Sequence, residues 1–339
     1  MVNPTKKALL VAMTVALTPG LASARPALHA GAINASGTND ATRWSVILSA
    51  PINTDYQGLL AAPTGGGWTV DYEGGVLQRF APNRFRRAIS IGGGPVFVIY
   101  GADGNLWLND GAAEIVRATP EGGVTKFVLP TYQYAYGGLT MAAGDVWITE
   151  QTAVGRVTPT GHLTQYNAGN ASCGSAAKGI VTGSDGRVWY GTDCGGGPSA
   201  VFAIDPTTGT QTGYTVPFSP RGVVSGPDGA IWFTSNQDNG LLGRISTTGS
   251  VTTYPVLRGS FPAFSSAPQD IAVGGDGDIW YIQDLGVSSL LGHIDPVTKR
   301  SWLITPPADF SGRMNSIAAG PGRQLWMSAG NEIYAYRIP

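Results

Sequence analysis

The chain has 339 residues, and 21 Lys and Arg against 22 Asp and Glu give it a formal net charge of −1 at pH 7. This balance gives no reason to expect a nucleic acid or a strongly charged surface as partner. Charged residues make up only 13% of the chain, whereas Gly contributes 49 residues and Pro 23. That composition fits a turn-rich all-β protein.

The N-terminus has the pattern of a secretory signal peptide. Two lysines precede an apolar run that ends at Pro19, and Ala22-Ser23-Ala24 resembles a small-residue cleavage site. We therefore assign residues 1–24 to the signal, with cleavage as late as residue 30 as the alternative, and residues 25–41 to a flexible leader. The apolar run is too short to span a membrane. We expect a secreted or periplasmic monomer without a membrane span.

A unit of one turn and one strand recurs through the rest of the chain. In its clearest copy, residues 226–234, the sequence Asp-Gly predicts a tight turn and Ile-Trp-Phe-Thr predicts a strand. Each copy carries one tryptophan: Trp68, Trp107, Trp147, Trp189, Trp232, Trp280 and Trp326. Their spacing of 39 to 48 residues is typical of a β-propeller with one blade per repeat.

A first strand precedes the turn of each repeat and two further strand patterns follow the tryptophan strand, so that each repeat contains four short strands. The segment around Trp44 precedes the first unit and is a strand without a blade of its own, whereas the last repeat ends after its third strand. Pairing of these two segments would remove an exposed sheet edge. The predicted fold class is therefore all-β: a seven-bladed β-propeller with four-stranded blades, formed as a single domain by residues 42–339 and closed by an N-terminal strand that joins the last blade.

Cys173 and Cys194 are the only cysteines. In an exported chain a single pair predicts a disulfide, and two unpaired thiols are the alternative.

Three segments of the fifth repeat carry a family resemblance. Residues 226–234, 241–245 and 247–255 resemble the repeat of the virginiamycin B lyase (streptogramin lyase) family, and the likeness covers roughly residues 42–339. The resemblance implies a seven-bladed propeller. It also implies that active members open the macrolactone of B-type streptogramins by elimination at a magnesium-dependent site, with histidines just before the first strands of late blades and glutamates nearby.

This sequence departs from the family at those histidines. Gln269 and Asn315 stand where the histidines would be, and Arg313 stands where an acidic residue would precede one of them. Elimination needs a base, and neither amide side chain titrates. The lyase site is therefore not transferred to this chain. His293 replaces an arginine of other repeats, which indicates a structural role.

The loops before each first strand and after each tryptophan strand share one face of a propeller, around its channel. We expect a ligand site there for a small polar or glycan-like molecule. Its candidate residues are Arg87, Tyr134, Tyr136, Lys178, Arg221, Asp270 and Arg313. The arginines and the lysine would bind carboxylate, phosphate or carbonyl oxygens, and the tyrosines would stack on a ring. The alternatives are charge pairing across blades and packing of the tyrosines on a neighbouring loop.

A metal site at the same face is a weaker hypothesis. Glu150, Asp193 and Asp284 come from three blades and could hold Mg²⁺ or Ca²⁺, which prefer several oxygen ligands.

The sequence therefore predicts an exported propeller that recognises a ligand through the loops at its channel mouth. Two alternatives stay open from the sequence. One is an enzyme, either a carbon–oxygen lyase acting on a B-type streptogramin lactone or a metal-dependent lactone-opening enzyme. The other is a structural component of the cell envelope.

Overall fold

The computed structural model describes residues 41–49, 58–81, 84–111, 113–129, 137–168, 175–193, 199–235, 240–256, 267–286, 288–310 and 312–339. Within these residues a 3-10 helix, Ala41–Arg43, is the one helical element, and all other regular structure is β-strand. The strands form seven four-stranded sheets. The predicted seven-bladed propeller is confirmed.

The strands follow one another blade by blade. The first strand outside the repeats is β1 (Trp44–Ser49). Blades 1 to 3 consist of β2 (Leu59–Ala61), β3 (Gly67–Asp71), β4 (Val76–Ala81) and β5 (Arg84–Ser90); β6 (Val98–Tyr100), β7 (Leu106–Asn109), β8 (Glu114–Ala118) and β9 (Val124–Val128); and β10 (Leu139–Ala142), β11 (Asp145–Thr149), β12 (Ala153–Val157) and β13 (Leu163–Asn167).

Blades 4 to 7 continue the same order. They consist of β14 (Ser175–Thr182), β15 (Val188–Asp193), β16 (Ala200–Ile204) and β17 (Gln211–Thr215); β18 (Pro220–Ser225), β19 (Ile231–Ser235), β20 (Leu241–Ile245) and β21 (Val251–Pro255); β22 (Ala267–Val273), β23 (Ile279–Asp284), β24 (Ser289–Ile294) and β25 (Ser301–Ile304); and β26 (Met314–Ala319), β27 (Gln324–Ala329) and β28 (Glu332–Arg337), with β1 as the fourth strand.

The ring closes in blade 7, as predicted. β1 pairs antiparallel with β28, and Trp44 lies opposite Tyr336. The rings of these two residues are 5.1 Å apart at their centroids, and Phe310 contacts Trp44 edge-on at 5.5 Å. The first and last strands of the described residues therefore share one sheet, which leaves no unpaired edge on β28.

The tryptophans of the repeat lie in the second strands and are almost fully buried between blades. In blade 5 the turn carboxylate of Asp228 accepts a hydrogen bond from Trp232 Nε1 at 3.0 Å. The same carboxylate binds Nε of Arg244 at 2.7 Å, and the guanidinium lies over the indole. The Asp-Gly turn, the tryptophan strand and the third strand are thus joined in one contact, which explains the four-residue interval between Asp and Trp in the sequence.

The first strand of each of blades 4 to 7 contains a register shift of the kind that a β-bulge produces. The shifts lie between Ala176 and Ile180, Pro220 and Val223, Pro268 and Ile271, and Met314 and Ser316. Each adds residues to the first strand relative to its partner. Since bulges redirect side chains, this half of the ring is where the inner strands can present irregularly placed polar groups.

Candidate functional site: the axial cavity

A cavity of about 120 Å³ lies between the inner strands of blades 2 to 6. Its apolar wall includes the buried side chains of Val98, Leu139 and Ile180. The polar residues that line it are Arg221 and Asp270. Both belong to the shifted segments of β18 and β22, so the bulges bring two charged residues to a cavity whose other lining side chains are apolar.

Arg221 is a half-buried cation that is not fully satisfied. Its Nε is buried and has no hydrogen-bond partner among the described residues. The backbone beside it is fixed, because the amide of Gly222 donates to Thr234 Oγ1 at 2.8 Å. Burial lowers the pKa of Arg221, and the carboxylates of Asp270 and Asp284 oppose that effect. The residue thus presents a donor that lacks an acceptor.

Asp270 connects blade 6 to blade 7. Its Oδ1 accepts from the amide of Ile271 at 3.0 Å, and its Oδ2 accepts from the amide of Ile317 at 2.9 Å. Burial nevertheless raises the pKa of this carboxyl to about 6, because the two amides and the attraction of Arg221 only partly offset desolvation. The pKa of the Asp270 carboxyl therefore lies close to neutral pH.

Asp284 and Arg313 complete the charged group at this end of the channel. Arg313 Nη2 donates to Asp284 Oδ2, which joins the end of β23 to the start of β26. Arg313 also contributes to lowering the pKa of Arg221. Two cations and two carboxylates from blades 5, 6 and 7 therefore lie within electrostatic range of one another. The structure brings together the predicted residues Arg221, Asp270 and Arg313.

Gln269 and Asn315 occupy the shifted segments of β22 and β26, at the start of the inner strands where the family resemblance expects histidines. Magnesium prefers carboxylate and water oxygens. Here Arg313 puts a positive charge beside the position and binds Asp284, the carboxylate of β23, and the carboxylate of Asp270 accepts from two backbone amides. The residues present do not fit a magnesium ion at the family's position.

The sequence-based placement of Arg87 at the channel mouth is wrong. Arg87 lies in β5, the outermost strand of blade 1, and donates to the carbonyl of Pro120 at 2.9 Å. The first repeat is degenerate, so its arginine-rich fourth strand resembles, in sequence, the approach to the next blade. Tyr134 and Tyr136 lie outside the described residues, and so does the side chain of Lys178.

The three carboxylates proposed for a metal are placed differently. Glu150 is buried within blade 3, with an exposed fraction of 2%, and its Oε2 accepts from Gln165 Nε2 at 2.6 Å. Gln165 belongs to the outermost strand, so this contact points away from the channel. Asp284 binds Arg313, and the side chain of Asp193 is outside the described part of the chain. A metal bound by these three residues stays a prediction.

One set of three potential metal ligands occurs among the described residues, at the opposite end of blade 6. Atoms of Asp276, Asp278 and His293 lie within 4.8 Å of one another. His293 Nδ1 is 2.6 Å from Asp278 Oδ2, and its ring stacks on Trp280 with centroids 4.0 Å apart. His293 thus occupies the place that Arg244 takes over Trp232, which agrees with the structural role predicted for it.

Sequence reasoning missed the burial of Glu150 and its contact with Gln165. The only signal was a Glu three residues after Trp147, at the end of a buried strand.

The predicted disulfide between Cys173 and Cys194 falls on residues outside the described ranges. The described residues contain no helix that is long and apolar enough to cross a membrane.

The profile of the virginiamycin B lyase family matches this chain at residues 48–219 and again at residues 92–334. The chain belongs to the virginiamycin B lyase family. A relative within the family, virginiamycin B lyase of Nocardia farcinica (strain IFM 10152), is 29% identical over 240 residues, which cover 69% of this chain and 77% of the relative.

Solved structures of the family have the same fold. Virginiamycin B lyase from Staphylococcus aureus aligns with a TM-score of 0.73 and 21% identity, over 87% of this chain and 100% of the other. A catalytically inactive His-to-Ala variant of that enzyme, crystallised with quinupristin, aligns with a TM-score of 0.74 and 22% identity, over 87% and 99% of the two chains. At these identities the likeness shows the propeller fold.

Proposed function

We propose that the protein is an exported recognition propeller that binds a small polar ligand in its axial cavity and does not open streptogramin rings. The observation that carries this proposal is the buried Nε of Arg221, which has no hydrogen-bond partner among the described residues although it lies at the cavity. A buried donor without an acceptor is costly, and an oxygen atom of a ligand would satisfy it.

Loss of the ring-opening reaction is inferred from the side chains at the family's catalytic positions. Gln269 and Asn315 are amides and cannot accept the proton that elimination removes. Arg313 forms an ion pair with Asp284 at the same end of the channel. Export is inferred from the signal pattern in residues 1–24, and N-terminal sequencing of protein recovered outside the cytoplasm would test it.

A lyase with a different base is the second candidate, and Asp270 is the observation that favours it. Its carboxyl lines the cavity and has a pKa raised to about 6 by burial, which lies in the range suited to a general base near neutral pH. In that case Asp270 would replace the histidine of the family.

The experiment is incubation of the purified protein with quinupristin and magnesium, followed by chromatography. Retention must report the result, because elimination does not change the mass. We expect no linear product, and we expect small oxygen-bearing ligands to raise the melting temperature of the native protein but not of Arg221→Gln. Linear product that forms with the native protein and not with Asp270→Asn would replace this proposal with the second candidate.

A further inference from the structure

We propose that the axial cavity selects small zwitterions of the α-amino-acid type that carry an apolar side chain. The inference rests on the proposed function and names the ligand class that the same cavity takes. It follows from the charges of Arg221 and Asp270, from the apolar wall opposite them and from the size of the cavity.

The two charges face the same cavity from neighbouring blades, yet no hydrogen bond or ion pair joins them among the described contacts. Asp270 bonds to the backbone amides of Ile271 and Ile317. Each of its oxygens keeps a second lone pair for another donor. Arg221 Nε has no acceptor within the described part of the chain. The cavity therefore offers a hydrogen-bond donor on the positively charged Arg221 and a hydrogen-bond acceptor on the negatively charged Asp270.

A ligand with a single charge is poorly matched to this arrangement. A simple anion that binds Arg221 would approach the carboxylate of Asp270, and a simple cation that binds Asp270 would approach the guanidinium of Arg221. Either repulsion is strong in a partly buried site, where screening is weak. Asp284 and Arg313 satisfy each other and add no net charge. A molecule that carries both charges satisfies both residues at once.

The size and the lining of the cavity restrict the rest of the ligand. A cavity of about 150 Å³ holds a molecule such as benzene, so a volume of about 120 Å³ restricts the enclosed part of the ligand to a small group with a short side chain. Val98, Leu139 and Ile180 provide an apolar surface for a short hydrocarbon side chain. Leucine meets all of these conditions, whereas a whole streptogramin is far too large to enter.

Three probes that share one hydrocarbon side chain, and none of which is larger than leucine, separate the charge requirements. Leucine is a zwitterion, 4-methylpentanoate (leucine without its ammonium group) is an anion, and leucinamide at pH 7.0 carries only a positive charge. Binding of each to the full-length mature protein is measured by isothermal titration calorimetry. We expect leucine to bind, and each of the other two to bind at least roughly tenfold more weakly, because each loses one charge-assisted hydrogen bond and with it the attraction that offsets the repulsion of its remaining charge.

Two variants assign the two charges, with a third as a matched control. Asp270→Asn is expected to remove the preference for leucine over 4-methylpentanoate, and Arg221→Gln is expected to remove the preference for leucine over leucinamide. Arg87→Gln changes an arginine of the outermost strand of blade 1 and should leave all three affinities unchanged. If a variant fails to fold, the comparison of the three probes on the native protein still tests the inference.

The outcomes distinguish this inference from the proposed function. If 4-methylpentanoate or leucinamide binds the native protein as tightly as leucine, or if none of the three binds at millimolar concentration, the zwitterion inference is overturned. The proposed function then stands when other oxygen-bearing ligands raise the melting temperature in a manner that requires Arg221. Formation of linear streptogramin would instead overturn the proposed function itself.

Discussion

Asp228 Oδ1 accepts a hydrogen bond from Trp232 Nε1 at 3.0 Å, across a turn of the fifth repeat. The same relationship recurs in blades 2, 4 and 6, between Asp103 and Trp107 at 3.2 Å, Asp185 and Trp189 at 3.0 Å, and Asp276 and Trp280 at 3.1 Å. The carboxylate fixes the turn to the strand that follows it. This contact is what makes the repeat recognisable in the sequence.

Asp228→Ala should destabilise the fold by about 2–4 kcal/mol, because it leaves Arg244 and Trp232 Nε1 without an acceptor in a largely buried place. Unfolding in urea, followed by tryptophan fluorescence, measures the change. Asp309 is exposed and serves as the control, for which Asp309→Ala should cost almost nothing. Equal losses for the two variants would contradict the role assigned to Asp228.

Glu150 should make the stability depend on pH. Burial raises its pKa from 4.5 to about 7, and the hydrogen bond from Gln165 only partly offsets this. Since the folded-state pKa is the higher one, the folded state binds the proton more tightly, and ionisation of Glu150 reduces stability as the pH rises from about 4.5 to about 7. At pH 8 the variant Glu150→Gln should therefore be more stable than the native protein by about 2–3 kcal/mol.

The control for Glu150 is the same comparison at pH 4, where the native side chain is protonated and the two proteins should be equally stable. Thermal or urea unfolding at both pH values provides the measurement. A constant difference between pH 4 and pH 8 would show that ionisation of Glu150 is not its cause.

Gly243 gives a prediction about packing. A Cβ atom at this position would lie 2.1 Å from the ring of Phe233, and the equivalent Gly292 faces Tyr281 in the same way. Gly243→Ala should therefore cost about 1–3 kcal/mol through overpacking. At Gly123 the nearest atom would be 3.3 Å from the new Cβ, so Gly123→Ala should be clearly milder. The urea midpoints of the two variants measure the loss of stability. A smaller loss for Gly243→Ala than for Gly123→Ala would refute the prediction of overpacking.

Removal of β1 should open the ring. A protein that lacks residues 1–49 loses the partner of β28 and the contacts of Trp44 with Tyr336 and Phe310. We expect a lower melting temperature and concentration-dependent association through the exposed edge. A protein that lacks only residues 1–40 keeps β1 and should behave as the mature protein. Size-exclusion chromatography and thermal unfolding of the pair test this, and identical behaviour would argue against closure by β1.

Cys173 and Cys194 are predicted to form a disulfide, on the proposal that the protein is exported. Alkylation without reductant should leave the intact mass unchanged, and alkylation after reduction should add two labels. Two labels without reductant would exclude the bond.

Most of the fold could be predicted from the sequence because its signals are local. The Asp-Gly turn before Trp232 and the spacing of the tryptophans define the blades, and the unpaired strand at Trp44 reveals the closure. Arg87 was misplaced because the first repeat lacks the turn carboxylate, so nothing local marks its fourth strand. In that blade Trp68 Nε1 bonds to Tyr100 of blade 2 instead.

The candidate site was predictable only in part. The repeat indicated that Arg221, Asp270 and Arg313 lie near the channel mouth, because the position of a residue within a repeat fixes its height in a blade. Which partner each side chain has could not be predicted, since the bulges of β18 and β22 and the contact of Asp270 with Ile317 depend on how neighbouring blades fit together. Such contacts join residues that are far apart in the sequence.

The pairing of β1 with β28 also has a kinetic consequence. Trp44 leaves the ribosome before any complete blade, and its partner Tyr336 is made only after the other six blades. The sheet of blade 7 can therefore form only after those six blades have been synthesised, and its assembly has to bring together two strands that are far apart in the sequence. Contacts of such wide sequence separation form slowly. Ring closure should be the late step of folding, and until then β28 presents an open edge on which a chaperone or a second chain could act.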